Sequence, residues 1–319
     1  LNFYNPKISS IVPHLPPAIF LMGPTASGKT DLALALCEYL PCEIISVDSA
    51  QVYRGMDIGT AKPSIEIRQI CPHHLIDILD PAQSYSAGQF YEDTRYLMST
   101  IAKRNHIPLL VGGTMLYFHT LRNGISFLPA RDLAIRAKIE KEAEIIGWKV
   151  LHDRLTTLDP LSANHINPND PQRIQRALEV YQLTGKPLSS LINSTYPSLP
   201  YNIIRVSVLP KERILLHHRI EQRFLAMLEK GFLEEVKNLF QRSDLNIKLA
   251  SIRAVGYRQA WLYLQNKLSL SAMIDQAIIA TRQMAKRQLT WLRREKDSLQ
   301  ILSEEASAKE LYQKINKYL

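Results

Sequence analysis

Eight consecutive residues near the start of the chain have both the types and the spacing to hold a phosphate chain. Residues 20–36 read FLMGPTASGKTDLALAL, and within them Gly23, Pro24, Thr25, Ala26, Ser27, Gly28, Lys29 and Thr30 fit the pattern G-x-x-x-x-G-K-[ST]. Such a loop turns successive backbone N–H groups inward, while the helix after it adds its positive end. Lys29 supplies a point charge and Thr30 a hydroxyl for Mg²⁺. By motif alone this is a nucleotide-binding, ATP-binding signature. Chemically it requires only a diphosphate or a triphosphate, and it does not by itself imply hydrolysis.

The acid that a nucleoside triphosphatase needs for its metal is missing from the expected place. A Walker-B strand ends in Asp, whereas the best matching run, IPLLVGGT (107–114), ends in Gly-Gly-Thr. An acid stands instead at the end of EIISVD (43–48). Asp48, at the carboxyl end of a strand, lies where ligands bind in open α/β sheets and suits a base or a metal ligand. Its plainer role is to cap a turn with Ser49. His73 and His74 have no third ligand at metal spacing and read as packing or hydrogen-bonding residues. Arg219 and Arg223 lie four apart on the helical segment HHRIEQRFLAMLEKGF (217–232), and one of them suits a bidentate contact with a diphosphate. The diphosphate set is thus residues 23–30 with Arg223, Arg219 standing as the alternative.

Three basic groups lie away from the loop. QRIQR (172–176) places Arg173 and Arg176 on one helical face beside Gln172 and Gln175. SIRAVGYRQ (251–259) carries Arg253 and Arg258 around a Gly-Tyr turn. TRQMAKRQLTWLRREK (281–296) has six Lys or Arg against one Glu. Any one of these is an ordinary solvated face. Together, in a chain whose Lys and Arg outnumber Asp and Glu 39 to 30 for a net charge of +9, they point to a phosphate backbone or single-stranded bases.

Positioning these groups requires a parallel sheet. AIFLMG (18–23), EIISVD (43–48), PLLVGG (108–113) and NIIRVSVLP (202–210) are short apolar runs, and SAGQFYEDTRYLMSTIAKRNH (86–106) has the pattern of a crossover helix. Between residues 122 and 200 strand-like runs vanish, and segments such as DPQRIQRALEVYQLTG (170–185) read as capped helices. The expected organisation is an α/β fold. It has a P-loop NTPase-like parallel sheet core (18–121 and 201–319), a tail (1–17) and an all-helical insertion domain (122–200). From about Lys211 onward the chain reads as helical. The 319 residues are 46% hydrophobic and 22% charged, enough for a sizeable core. Three thiols, Cys37, Cys42 and Cys71, with no C-x-x-C, fit a reducing cytoplasm, and no apolar run suits a membrane span or a signal peptide.

The segments GPTASGKT, DSAQVYRGMDIGTAKP, HHLIDILDP, YSAGQF, VGGTMLY, DPQRIQRALEVYQLTGKPLS, IRAVGYRQ and TRQMAKRQLTWLR succeed one another over roughly residues 18–294. In that order they strongly resemble the bacterial form of the tRNA dimethylallyltransferase (tRNA isopentenyltransferase) family. The resemblance implies that the loop holds the diphosphate of dimethylallyl diphosphate with Mg²⁺, and that no ATP is hydrolysed. The prenyl group is then carried to N6 of the adenosine at tRNA position 37, next to the anticodon, in tRNAs whose codons begin with U. It further implies that Asp48 is the general base and that Thr114 sits beside the adenine. The implied contacts with the anticodon stem-loop are Asp48, Ser49, Ala50, Gln51 and Thr114, then Arg136, then Gln172, Arg173, Ile174, Gln175 and Arg176. Arg253, Ala254, Val255, Gly256, Tyr257 and Arg258 complete them. A cytoplasmic monomer is the implied form. A nucleotide or small-metabolite kinase would share the loop but leave QRIQR and the basic C-terminal helix unexplained. An RNA-binding module without catalysis would leave the phosphate loop unexplained.

Overall fold

The computed structural model describes residues 15–124, 126, 128–192 and 199–319. Most of the expected tail (1–17) therefore lies outside the described residues. The chain forms two compact units, one within Leu1–His119 and Leu199–Leu319, the other within Thr120–Ser198.

In the first unit the apolar run ahead of the phosphate loop is β1 (Pro17–Met22), and the loop opens directly into α1 (Lys29–Cys37). β2 (Cys42–Val47) is buried at every position. After it come the short helix α2 (Ile65–Ile70) and a two-residue strand, β3 (His73–His74). Ser86 then starts α3 (Ala87–Lys103) with a capping box, its hydroxyl accepting the Gln89 N–H while the Gln89 side chain accepts the Ser86 N–H. β4 (Ile107–Gly112) and α4 (Met115–Asn123) come next.

The second unit contains α5 (Leu133–Ile146), α6 (Trp148–Leu158), α7 (Pro160–His165), α8 (Pro171–Thr184) and α9 (Leu188–Leu191). Asp170 caps α8 ahead of a proline at its first position, and Gly185 ends it at φ 68°. Ile139, Leu151, Leu155, Ile174 and Leu178 form the core of this unit. Beside that core lies one fully buried acid, Glu179. Its oxygens accept both Nε and Nη2 of Arg136 at 2.9 Å, Nη1 of Arg176 at 2.9 Å and the Asp132 N–H at 2.8 Å.

Returning to the first unit, the chain forms β5 (Asn202–Leu209), α10 (Arg213–Glu229), α11 (Phe232–Phe240), α12 (Tyr257–Leu264) and α13 (Leu270–Leu292). It then makes a sixth strand, β6 (Leu299–Leu302), and ends in α14 (Ala308–Ile315). β6 corrects the expectation of an all-helical remainder after Lys211. This four-residue edge strand, alternately half-buried and exposed, lacks the continuous apolar run that marks the inner strands. All six strands pair in parallel, in the order β3-β2-β4-β1-β5-β6. Leu32 and Leu36 of α1 pack with Leu311 and Ile315 of α14 against Ile19, Leu109 and Val206 of the sheet. A second core gathers Tyr53 and Met56 with Phe224, Phe232, Tyr257, Trp261 and Met273 from α10–α13. Among the described residues no helix is long and apolar enough to cross a membrane.

Removing Glu179 leaves two guanidinium groups without their buried counter-charge. Glu179→Ala should therefore cost about 3–5 kcal/mol, a drop of at least ~100-fold in the protection of α5 and α8 amides in hydrogen exchange of the full chain. A loss below tenfold would contradict the structural role. Burial alone would raise the Glu179 carboxyl, but the Arg136 and Arg176 hydrogen bonds outweigh it and bring it from 4.5 to about 2. The stability it contributes is complete above pH 4.5 and is lost as the pH falls towards about 2.

Candidate active site

Sheet register assembles the site. Met22 at the end of β1 and Val47 at the end of β2 both stand level with Gly112 at the end of β4. The phosphate loop after β1, Asp48 after β2 and Gly113–Thr114 after β4 therefore emerge at one edge of the sheet, where parallel sheets bind ligands. The close approach requires glycine at position 112, since a Cβ there would stand 2.1 Å from the Val47 carbonyl oxygen. The Gly23 N–H donates to the Gly112 carbonyl at 3.3 Å, joining the loop's first residue to the end of β4.

The loop turns directly into α1 at Gly28. Gly28 lies at φ 76°, a left-handed conformation that an L side chain resists, and it sets α1 running away from the loop. Ser27 is buried, and its hydroxyl has no hydrogen-bond partner among the described residues. Lys29 donates to the Pro24 carbonyl at 3.1 Å. Burial and the nearby charge of Arg223 push its amine down to about 8, with Asp48 opposing them. Arg223 on α10 reaches the Thr25 hydroxyl at 3.5 Å. Burial lowers its pKa as well, against the pull of Asp48 and Asp31. The alternative arginine is engaged elsewhere, Arg219 donating to Ser303 at 3.0 Å and pairing with Glu304 at 3.4 Å.

Asp48 does cap the turn, with one oxygen. Its Oδ1 accepts the Ala50 N–H at 2.8 Å and the Gln51 N–H at 3.3 Å. The Ser49 N–H donates across to the Thr114 hydroxyl at 3.2 Å, and the Thr114 N–H to the Val47 carbonyl at 3.2 Å. Asp48 and Thr114 are thus held by one small hydrogen-bonded frame. Gln51 braces it, accepting the Ser46 hydroxyl at 2.8 Å and donating to the Thr60 carbonyl at 3.2 Å.

These groups line a cavity of about 380 Å³. Its wall includes Thr25, Lys29 and Thr30 of the loop, then Asp48, Ser49, Ala50, Gln51 and Thr114, then Arg223, then Arg253, Ala254 and Val255 from the turn before α12 and Tyr257 at its start. A smaller cavity of about 60 Å³, with a mostly apolar lining that includes Ile220, Phe224, Met227 and Met284, shares Arg223, Val255 and Thr25 with it and takes in Ala26 and Gly256. Arg258 is exposed on the first turn of α12. His73 lines the larger cavity while hydrogen-bonding the Cys71 carbonyl at 2.6 Å. His74 instead binds Glu43 at 2.7 Å.

Two side chains with no local sequence signal hold the cavity wall in place. Glu235 of α11 accepts the N–H groups of Asp57 and Ile58 at 2.7 Å, of Gly59 at 3.1 Å, and the Tyr257 hydroxyl at 2.5 Å. It thereby ties the segment after Asp48 to the turn carrying Arg253–Arg258. Gln288 of α13 accepts the Thr25 N–H at 2.9 Å and donates to the Gly113 carbonyl at 2.9 Å. An acidic residue and an amide on amphipathic helices read as solvated positions, and only their distant partners distinguish them.

In the second unit the QRIQR segment turns partly inward. Ile174 is in the core, and Gln175 is buried and donates to Glu140 at 3.1 Å. Arg136 and Arg176 are the partners of the buried Glu179, whereas Gln172 is exposed and so is Arg173, which pairs with Asp170 at 2.6 Å.

Residues 51–295 match the family described as IPP transferase. The chain is 66% identical over 291 residues to the tRNA dimethylallyltransferase of Nitrosococcus oceani, covering 91% of this chain and 93% of that one. It is 59% identical over 282 residues to that of Thioalkalivibrio sulfidiphilus, covering 88% of each. Among solved structures it resembles the tRNA isopentenylpyrophosphate transferase of Bacillus halodurans, with a TM-score of 0.70 at 36% identity over 95% of this chain and 96% of the other. It also resembles a eukaryotic dimethylallyltransferase described as acting on tRNA, with a TM-score of 0.79 at 25% identity over 95% of this chain and 79% of that one. A parallel α/β sheet with a phosphate loop at its edge, and a match of this extent, place the chain in the IPP transferase family.

Proposed function

We propose that this protein is a tRNA dimethylallyltransferase, moving the dimethylallyl group of dimethylallyl diphosphate to N6 of adenosine 37 in tRNA and releasing diphosphate. The observation that carries the reading is one cavity lined by a phosphate loop, two half-buried cations, a strand-end carboxylate and a threonine. The relatives in Nitrosococcus oceani and among eukaryotes support the reaction class. The anticodon stem-loop as the part recognised, codons beginning with U, a monomeric state and a cytoplasmic setting complete the reading.

The adenine exocyclic amine is a weak nucleophile because its lone pair is delocalised into the ring. As its nitrogen forms the new C–N bond, the donor's C–O bond breaks and the electron pair leaves with the diphosphate. Asp48 takes the amine proton, with the Oδ1 side already committed to the turn and the carboxylate aimed by it. Thr114, anchored through Ser49, presents a polar contact to the base. Charge developing on the leaving group meets the loop N–H groups, Lys29 and Arg223. Thr30, exposed in the first turn of α1 and lining the cavity, offers a hard oxygen that fits Mg²⁺ alongside a diphosphate. When bound, Mg²⁺ would neutralise diphosphate charge. Val255 and Met284, which line both cavities, give the hydrocarbon tail an apolar wall. A stacked base cannot reach such a pocket, so the adenosine must flip out, at a cost of a few kcal/mol. The exposed Arg253 and Arg258 suit the flanking backbone, and in the second unit Arg173 is the exposed cation of QRIQR.

Two measurements test this reading. Purified protein given unmodified tRNA, Mg²⁺ and dimethylallyl diphosphate should yield N6-dimethylallyladenosine by mass spectrometry, with no phosphate released from ATP in a parallel reaction. Asp48→Ala should slow product formation ~10²–10⁴-fold. Unmodified adenosine with ATP consumed would instead support a kinase. The second measurement tracks the Lys29 proton. With its amine at about 8 in the free protein, binding inorganic diphosphate raises that pKa, so affinity should fall as the pH climbs from about 8 towards about 10. Calorimetry in buffers of different ionisation enthalpy should record more proton uptake near pH ~8.5–9 by the unmodified protein than by Lys29→Met, the diphosphate's own proton being common to both. Equal proton exchange in the two proteins would contradict the account of Lys29.

A further inference from the structure

Beyond Gly23 and Gly112 the sheet ends, and the two chain segments that must cooperate begin to part. The loop residue Thr25 belongs to the diphosphate side of the cavity. Gly113 immediately precedes Thr114, on the side of the accepting base. No backbone hydrogen bond of the sheet ladder joins these residues. Gln288 joins them instead, from a helix 263 residues away from Thr25 and 175 from Gly113. Its carboxamide oxygen takes the Thr25 N–H at 2.9 Å, and its NH₂ gives a hydrogen bond to the Gly113 carbonyl at 2.9 Å.

This bridge asks for one side chain chemistry. Thr25 presents a donor and Gly113 an acceptor, so the bridging group must accept at one end and donate at the other. A carboxylate of the same length would set an oxygen against the Gly113 oxygen, and an apolar side chain would leave both backbone groups unanswered. The fit is also sterically close, since a Cβ on Gly113 would stand 2.4 Å from Gln288 Nε2. Thr25 is held on a second side by Arg223, which reaches its hydroxyl at 3.5 Å. Gln288 itself lines the cavity between the two halves.

From this geometry we infer that Gln288 is a positioning residue for prenyl transfer, setting the distance between the diphosphate cradle and the Asp48–Thr114 frame. The inference rests on the prenyl-transfer reading of the site. Each substrate binds largely through its own half of the site, so loosening the bridge leaves binding nearly intact. The in-line approach of the amine to the prenyl carbon is what suffers, because displacement rates fall steeply with misalignment. The bridge therefore belongs to kcat rather than KM.

The test measures kcat and KM for dimethylallyl diphosphate and for unmodified tRNA, with thermal unfolding midpoints alongside. The proteins compared are the unmodified chain, Gln288→Met, Gln288→Glu, Gly113→Ala and the Gly113→Ala/Gln288→Met double variant. Gln288→Met keeps length and volume while deleting both hydrogen bonds, and should lower kcat about 10–100-fold with each KM within about threefold. Its unfolding midpoint should stay within a few degrees. Gln288→Glu keeps the acceptor for Thr25 alone and should be impaired similarly. Gly113→Ala displaces the amide, so the double variant should be no slower than the worse single one. The inference is overturned if Gln288→Met retains kcat within twofold, if its loss tracks a lowered midpoint, or if the two substitutions multiply independently. Absence of prenyl transfer by the unmodified protein would instead overturn the parent reading, and the inference with it.

Discussion

The central constraint in this molecule is the partial withdrawal of two positive charges from water at the edge of a parallel sheet. Lys29 and Arg223 are both half-buried, and that partial burial works against the charge on each, with Arg223 depressing Lys29 further. Asp48 offsets only part of that cost, and one of its oxygens already serves the turn behind it. Even partial desolvation of a cation without a full counter-charge is costly. It is tolerated here because the loop, its helix N-terminus and the two cations together make a place for an anion of high charge density. In the proposed reaction the same unbalanced charge would stabilise a departing diphosphate, giving the cost to the free protein and the gain in the reaction one source.

Everything else near the cavity keeps that charged floor in register with the opposite wall. Gly112 lets β2 and β4 close up so that Asp48 and Thr114 emerge together. Gln51 binds the Asp48 turn to the Thr60 carbonyl, and Glu235 fixes the next segment by three N–H groups while holding Tyr257. Lys62, almost wholly buried, ties the same region from behind through Asp57 and Asp77. Such frames are built from polar groups that are fully used internally, which is why they position neighbours without needing to touch a substrate.

Much of this was readable from sequence because the governing physics is local. The inner strands are continuous apolar runs, the phosphate loop is an eight-residue pattern, and Ser86, Asp170 and Gly185 mark helix ends through neighbouring bonds. What escaped is non-local. β3 and β6 are too short to carry a pattern of their own, and exist because a longer neighbour offers them a ladder. Arg219 and Arg223 share a helix face at one-turn spacing, and the choice between them depends on Ser303 and Glu304, just beyond the unforeseen β6. The QRIQR segment has the composition of a basic surface, yet Glu179 claims Arg176 from inside. Glu235 and Gln288 were invisible for the same reason, their partners lying 176 and 263 residues away in the chain.

Central to this account is the assignment of Lys29 and Arg223 to a prenyl diphosphate and not to a nucleoside triphosphate. The most direct measurement is a competition at equilibrium, with Mg²⁺ present. A non-reactive thio analogue of dimethylallyl diphosphate is bound to the full chain, then displaced by inorganic diphosphate or by ATP. Inorganic diphosphate should displace the analogue readily, and ATP should need a concentration at least ~100-fold higher, a difference of about 2.7 kcal/mol. Displacement by ATP at concentrations equal to or below those of diphosphate would contradict the account.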